Sequence, residues 1–309
     1  MMDTTPTASA WRLVGAEAAA DLLMIDSQTV QLVAAVTAAE VPVARRDALT
    51  ALLGDDNAGA GLRLLELQGA LARLLPEIAA LRGISQLPDH AMDALDHTYA
   101  VVDAAPPTPL SRWTALFHDS GKAATRLTTP EGRTRFFGHE HIGADLVRAA
   151  LPRLALSPPF IAQVAGLVDL HLRPLAYRPE WGDGAVRRLL EEAGTHWPAL
   201  LAQARADLRG YAPEPVAAAL ANLDALERRA AALLAPPPAE PPGSPLDGDE
   251  LQRIFGLPPG PWIGRVKAAL EVAVRAGALA ADDKATALDM AAAILERETA
   301  NRTGPAEAS

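Results

Sequence analysis

Along this chain apolar residues recur every three or four positions far more often than every second one, the spacing of a buried helical stripe and not of a strand. Leu62, Leu65, Leu71, Leu74, Leu75 and Ile78 set such a stripe. Pro76 opens a new helix within it, because proline suits a first turn and breaks an interior one. The same spacing predicts helices over about 89–104, 111–119, 138–151, 159–171, 185–193, 198–209 and 215–234, and almost no strand. Pro106–Pro109 and Leu156–Pro159 read as connectors. The clearest break is 235–245, since six of the ten residues from Pro236 to Pro245 are proline, which removes amide donors and favours an extended spacer. The expected organisation is a disordered start over 1–10, helical regions over 11–87 and 88–234, the linker, a small helical unit over 246–298 and a disordered tail over 299–309. That small unit has a Gly/Pro turn at 256–261 between two helical stretches. The fold class is all-α.

Composition sharpens this picture. Half of the 309 residues are hydrophobic but only 4% are aromatic. Alanine and leucine supply most of the apolar content, and both lose little side-chain freedom in a helix. No cysteine is present, so disulfides, thiolate zinc sites and cysteine nucleophiles are excluded, and any metal must be held by His, Asp or Glu. A formal charge of −10 argues against a molecule that is basic all over. There is no run of 18 apolar residues, and the first residues lack a basic stretch followed by an apolar one, so a cytoplasmic protein with no membrane partner is expected.

Seven histidines carry the chemistry: His90, His97, His118, His139, His141, His171 and His196. His118-Asp119 closes the apolar stretch Trp113–Phe117 and is followed by Ser120-Gly121-Lys122. Neighbours inside a regular helix point about 100° apart, but a helix end beside glycine lets both groups face one point. Twenty residues separate His97 from the pair, 19 separate the pair from His139, 31 lie between His139 and His171, and 35 between His171 and Asp207. Ordered as H, HD, H, H, D over five helices, these residues resemble the HD superfamily of metal-dependent phosphohydrolases. Phe136-Phe137-Gly138-His139-Glu140-His141-Ile142-Gly143-Ala144 and Leu116–Arg126 are similar, more narrowly, to the HD region of bacterial CCA-adding tRNA nucleotidyltransferases. Met24–Thr29 resembles the neck of those enzymes. Leu74–Ile78 and Gly83–Gln86 resemble the body, and Pro245–Leu251 and Pro259–Gly264 resemble the tail. Region 11–87 is then neck- and body-like, 88–234 an HD phosphohydrolase domain and 246–298 a tail domain.

The resemblance implies a divalent metal site of His97, His118, Asp119, His139, His171 and Asp207. Four imidazoles with two carboxylates favour Mn, Fe, Ni, Co or Zn over Mg. Either two ions share Asp119 and a water, or one ion sits on His97, His118, Asp119 and Asp207 while His139 and His171 hold phosphate. Asp119 and Lys122 are the candidate catalytic residues, Lys122 meeting a phosphate oxygen or the leaving group. Glu140 and His141 could orient His139 or simply face solvent, and His90 and His196 match no family position. Nucleotide addition needs a catalytic head with Asp-x-Asp carboxylates, which nothing before residue 12 supplies. Asp55-Asp56 and Asp247/Asp249 read instead as surface turns. Between Arg112 and Arg188, eleven basic residues face seven acidic ones, net +4, which suits an anionic substrate. Arg126, Arg133, Arg135, Arg173 and Arg178 are the candidate phosphate or RNA contacts. The implied substrates are nucleotides or RNA 3′ ends such as 2′,3′-cyclic phosphates. The alternative is a non-catalytic tRNA-binding adaptor that partners a separate head.

Overall fold

The computed structural model describes residues 25–85, 92–130, 133–235 and 243–303. Their regular structure is helical apart from one hairpin of two-residue strands, so the chain is all-α, as its apolar spacing implies. It divides into two compact units between Leu234 and Ala235. The expected disordered start, His90 and Pro236–Pro242 of the linker lie outside the described residues.

The first unit begins with α1 (Ser27–Ala38), whose Asp26 cap accepts from Thr29 N at 2.8 Å. Four helices follow: α2 (Pro42–Leu53), α3 (Ala58–Leu67), α4 (Ala70–Leu74) and α5 (Pro76–Ala79). The apolar stripe expected to run on from Leu62 is interrupted between α3 and α4. Gly69 adopts a left-handed conformation (φ 65°) there, which ends one helix before the next begins. Asp55 corrects the surface-turn expectation. It is buried, and its carboxylate accepts from Gln28 Nε2, Thr29 Oγ1 and Asn57 N, each at 2.9 Å, which ties α1 to the turn before α3. Its neighbour Asp56 is exposed.

Ten further elements complete the unit: α6 (Ala94–Ala104), α7 (Pro109–Phe117), α8 (Lys122–Thr125), the hairpin β1 (Leu127–Thr128) and β2 (Thr134–Arg135), α9 (His139–Ala150), α10 (Pro158–Leu170), α11 (Leu172–Leu175), α12 (Asp183–Ala193), α13 (Trp197–Ala206) and α14 (Pro213–Leu234). Helix α7 starts two residues earlier than the apolar pattern suggests, because Thr108 caps it and Pro109 occupies its first turn. Every residue from Ser111 to Phe117 is buried. A helix buried on all sides belongs in the middle of a bundle, and α7 sits there, with Trp113, Leu116 and Phe117 in a core shared with α1–α3, α6, α9 and α10. A second cluster joins α12, α13 and α14 around Val186, Leu189, Leu200, Leu223 and Leu226. Burying α7 from Ser111 onward places its C-terminal end inside the protein, and the HD pair emerges from that end.

The second unit packs α15 (Gly248–Phe255), α16 (Pro261–Arg275) and α17 (Lys284–Thr303) around Leu246, Leu251, Val266, Leu270, Ala287 and Ala291. It has three helices where two stretches were expected. The last runs to Thr303, past the expected limit of 298, with no glycine or proline before Gly304 to stop it. Exposed Asp247 and Asp249 lie at the start of α15, where Asp247 forms a capping box with Glu250. Among the described residues, no helix is long and apolar enough to cross a membrane.

Candidate metal centre

Four of the six candidate ligands stand at helix ends. His118 is the C-cap of α7, His171 the C-cap of α10 and Asp207 the C-cap of α13, while His139 is the first residue of α9 behind Gly138 (φ 73°). A buried helix end leaves carbonyls without partners. At the end of α7 an imidazole supplies one, His118 Nδ1 lying 2.7 Å from Ala115 O, and at the end of α10 His171 Nδ1 lies 2.7 Å from Val168 O, which also accepts from His171 N. His139 Nδ1 repeats the arrangement on Phe136 O at 2.8 Å, and His97 Nδ1 meets Arg209 O at 3.1 Å. A carbonyl can only accept, so each Nδ1 carries a proton and each Nε2 is turned toward the other rings and the two carboxylates. The fold thereby fixes the tautomer that a metal-binding imidazole needs.

The rings form a chain, with His97 and His118 centroids 5.4 Å apart, His118 and His171 5.5 Å, and His171 and His139 5.2 Å. Two carboxylates enter it. Asp207 Oδ1 lies 3.0 Å from His97 Nε2 and 3.5 Å from His118 Nε2. Asp119 divides its oxygens, Oδ2 lying 3.2 Å from His118 Nε2 and Oδ1 3.3 Å from His139 Nε2. The donor atoms sort into two triads, His97–His118–Asp207 and Asp119–His139–His171, each with its atoms within 4.8 Å of one another. All six side chains are buried. The Nε2 atoms of His118, His139 and His171 make no aligned hydrogen bond. Buried polar atoms are normally satisfied, so three unsatisfied imidazole nitrogens beside two carboxylates fit a divalent ion, which would take the place of the proton on His118. Two imidazoles and one carboxylate per triad, with coordination positions to spare, suit a borderline transition metal.

Gly121 sets how closely Asp119 approaches His139 within the second triad. A Cβ on this residue would stand 2.1 Å from His139 O and 2.8 Å from Gly143 N, so only glycine lets the turn after Asp119 press against the first turn of α9. Ser120 Oγ donates to Phe117 O at 2.8 Å and satisfies another carbonyl at the end of α7.

The electrostatics follow from burial and proximity. Burial opposes a charge on His118, but Asp119 and then Asp207 outweigh it and raise its pKa to about 10. Burial likewise opposes ionisation of Asp119 and Asp207. His118 and Lys122 hold Asp119 well below the usual carboxylate range, and His118 and His97 do the same for Asp207. His171 is lowered to about 4, first by burial and then by the nearby charge of His118.

The remaining predicted site residues are dispersed. Lys122 Nζ donates to Asp119 Oδ2 at 2.6 Å and lies 5.5 Å above the Phe136 ring, so it reaches the centre through the carboxylate. Glu140 lies beside His139, and His141 is exposed and bound to Asp169 at 2.5 Å. His196 lies away from the cluster, at the start of α13. Arg126 and Arg133 are exposed and Arg135 is half-buried on the hairpin that precedes His139. Arg173 pairs with Glu192 at 2.8 Å, and Arg178 donates to the carbonyls of Leu175 and Tyr177. Sequence reasoning missed Tyr211, whose ring stands edge-on to His97 at 5.9 Å, its hydroxyl pKa raised by burial and by Asp207 and Asp119. Its one available signal was its position four residues past Asp207.

No family model matches the chain. It is 35% identical over 251 residues to an A-adding tRNA nucleotidyltransferase of Deinococcus radiodurans and 36% identical over 251 residues to a CC-adding tRNA nucleotidyltransferase of Thermus thermophilus. A multifunctional CCA protein of Halorhodospira halophila is 40% identical over 139 residues, 42% of this chain and 32% of that protein. The first two matches cover 78% of this chain but 56% and 55% of the relatives, so the chain spans about half the length of the curated relatives it matches. The chain is a homologue of the tRNA nucleotidyltransferases.

Proposed function

We propose that this chain is a metal-dependent phosphohydrolase of the HD type, acting on nucleotides or RNA 3′ ends, with 2′,3′-cyclic phosphates the first substrates to try. One observation carries the reading: three buried imidazole Nε2 atoms, their rings oriented by carbonyls on Nδ1, converge on two ionised carboxylates with no aligned partner. His97, His118 and Asp207 would hold one ion, and Asp119, His139 and His171 a second. A divalent ion there supplies Lewis acidity toward phosphoryl oxygens and a water able to attack at neutral pH. Asp119, with one oxygen toward each triad, couples the two halves. Lys122 holds the charge on Asp119 Oδ2 and stands ready to meet a phosphate oxygen or the leaving group. The surrounding burial excludes bulk water and strengthens every charge interaction made with the substrate. Arg126, Arg133 and Arg135 would take further phosphates of the substrate. Such substrates imply a cytoplasmic setting.

Protein supplied with Mn or Ni should hydrolyse nucleoside 2′,3′-cyclic phosphates, and the His118→Ala/Asp119→Ala variant should not. Equal activity in the two proteins overturns the reading. The relatives' printed activity on tRNA supports a second reading, a tRNA-binding adaptor that works with a separate catalytic head. Failure of a filter assay to retain tRNA even at low salt removes that alternative.

A further inference from the structure

Two adjacent phenylalanines precede His139, and the fold treats them in opposite ways. Phe136 is half-buried against the core, lies beneath Lys122 and gives its carbonyl to His139. Phe137 is 74% exposed, the most exposed large apolar side chain among the described residues. Leaving most of an aromatic ring in water forgoes burial energy. Its place is specific: it lies two residues from His139, so its Cα is within about 7 Å of that of a candidate ligand.

The hairpin leading to it is basic. Between Asp119 and His139 the sequence holds four basic residues, Lys122, Arg126, Arg133 and Arg135, against Glu131 alone. The antiparallel register sets Leu127 opposite Arg135 and Thr128 opposite Thr134, so Arg133 and Arg135 alternate onto the same face as exposed Leu127. Arg173 and Arg178 are engaged elsewhere, whereas among the described residues no carboxylate pairs with Arg126, Arg133 or Arg135. An exposed ring two and four residues beyond Arg135 and Arg133 matches a nucleobase joined to phosphates, because any base offers a π-face and its backbone offers charge. A purely apolar partner would leave those cations unanswered, and a purely anionic one would leave the ring uncovered.

We infer that Phe137 is a base-stacking platform: the ring receives the nucleobase whose ribose phosphate lies at the metal centre, and Arg133 and Arg135 take the phosphate of the preceding nucleotide. This rests on the hydrolase reading for the place of the phosphate, while the stacking itself is observable without turnover. The probe is a short RNA ending in 2-aminopurine 3′-phosphate, whose fluorescence falls when the base stacks. Bound to the full chain it is expected to be quenched. Phe137→Ala should abolish the quench and weaken binding roughly tenfold, Phe137→Trp should retain both, and Arg133→Ala/Arg135→Ala should weaken binding and flatten its salt dependence. Equal quenching by wild type and Phe137→Ala overturns the inference, as does a change in sedimentation of Phe137→Ala without RNA, which would mean that a second copy covers the ring. Phe137-dependent quenching in a protein that hydrolyses no phosphoester leaves the platform standing and removes the hydrolase.

Discussion

Replacing Gly121 with alanine puts a methyl carbon 2.1 Å from His139 O, 2.9 Å from His139 C and 2.8 Å from Gly143 N. All three are backbone atoms in the first turns of α9, so no side-chain rotation relieves the clash. Real Cβ atoms essentially never approach closer than 3.0 Å, so the two segments must part by about 0.9 Å. Metal sites tolerate ligand displacements of about 0.2 Å. The movement falls between Asp119 and His139 and leaves His97, His118 and Asp207 on their own helices. The expected outcome is a protein less stable by about 1–3 kcal/mol, with the Asp119–His139–His171 triad weakened by about 10–100-fold and the other triad little changed. Chelator competition against zinc should then resolve one tight site where wild type has two, with urea denaturation giving the stability. A Gly121→Ala protein that binds two ions with wild-type affinity refutes the reasoning, because the close approach would then not set the ligand geometry.

His171→Gln separates the two-ion from the one-ion arrangement. Metal content should fall from two ions to one if His171 is a ligand, and stay at one if it only holds phosphate. Zinc binding at pH 8 should release a proton from His118, whose pKa of about 10 keeps it charged in the metal-free centre, and the slope of calorimetric enthalpy against buffer ionisation enthalpy should show it. The sign for stability runs with it: a folded pKa above the ordinary 6.5 stabilises the metal-free protein fully below pH 6.5, and that contribution is lost as pH rises toward 10. Asp55→Ala should cost about 1–3 kcal/mol in denaturation experiments, because it strands Gln28, Thr29 and Asn57 N together.

The fold class and most helix positions were legible because helical spacing and proline placement act locally. Helix α7 shows the limit. Its apolar residues announced a helix, but only packing shows that its end is buried and that His118 therefore caps a carbonyl as well as facing the centre. Asp55 was misread because the partners that make burial tolerable, Gln28 and Thr29, lie 27 and 26 positions away. Gly69 could have signalled the break in the stripe, yet a single glycine is compatible with a helix interior and the pattern continued on both sides. The six His and Asp residues stood out because few residue types perform their chemistry. Their sorting into two triads depends on helix ends meeting in space, which spacing along the chain does not encode. The same holds for Lys122, whose position beside Asp119 follows from the turn at Gly121, and for the opposite fates of Phe136 and Phe137.

Metal content with anomalous scattering, on protein loaded with Mn, Ni or Zn, reaches the metal centre most directly. Two ions are expected, one on His97, His118 and Asp207 and one on Asp119, His139 and His171, with Asp119→Ala losing at least the second. A wild-type protein that takes up no divalent ion, or holds it away from these six residues, contradicts the assignment.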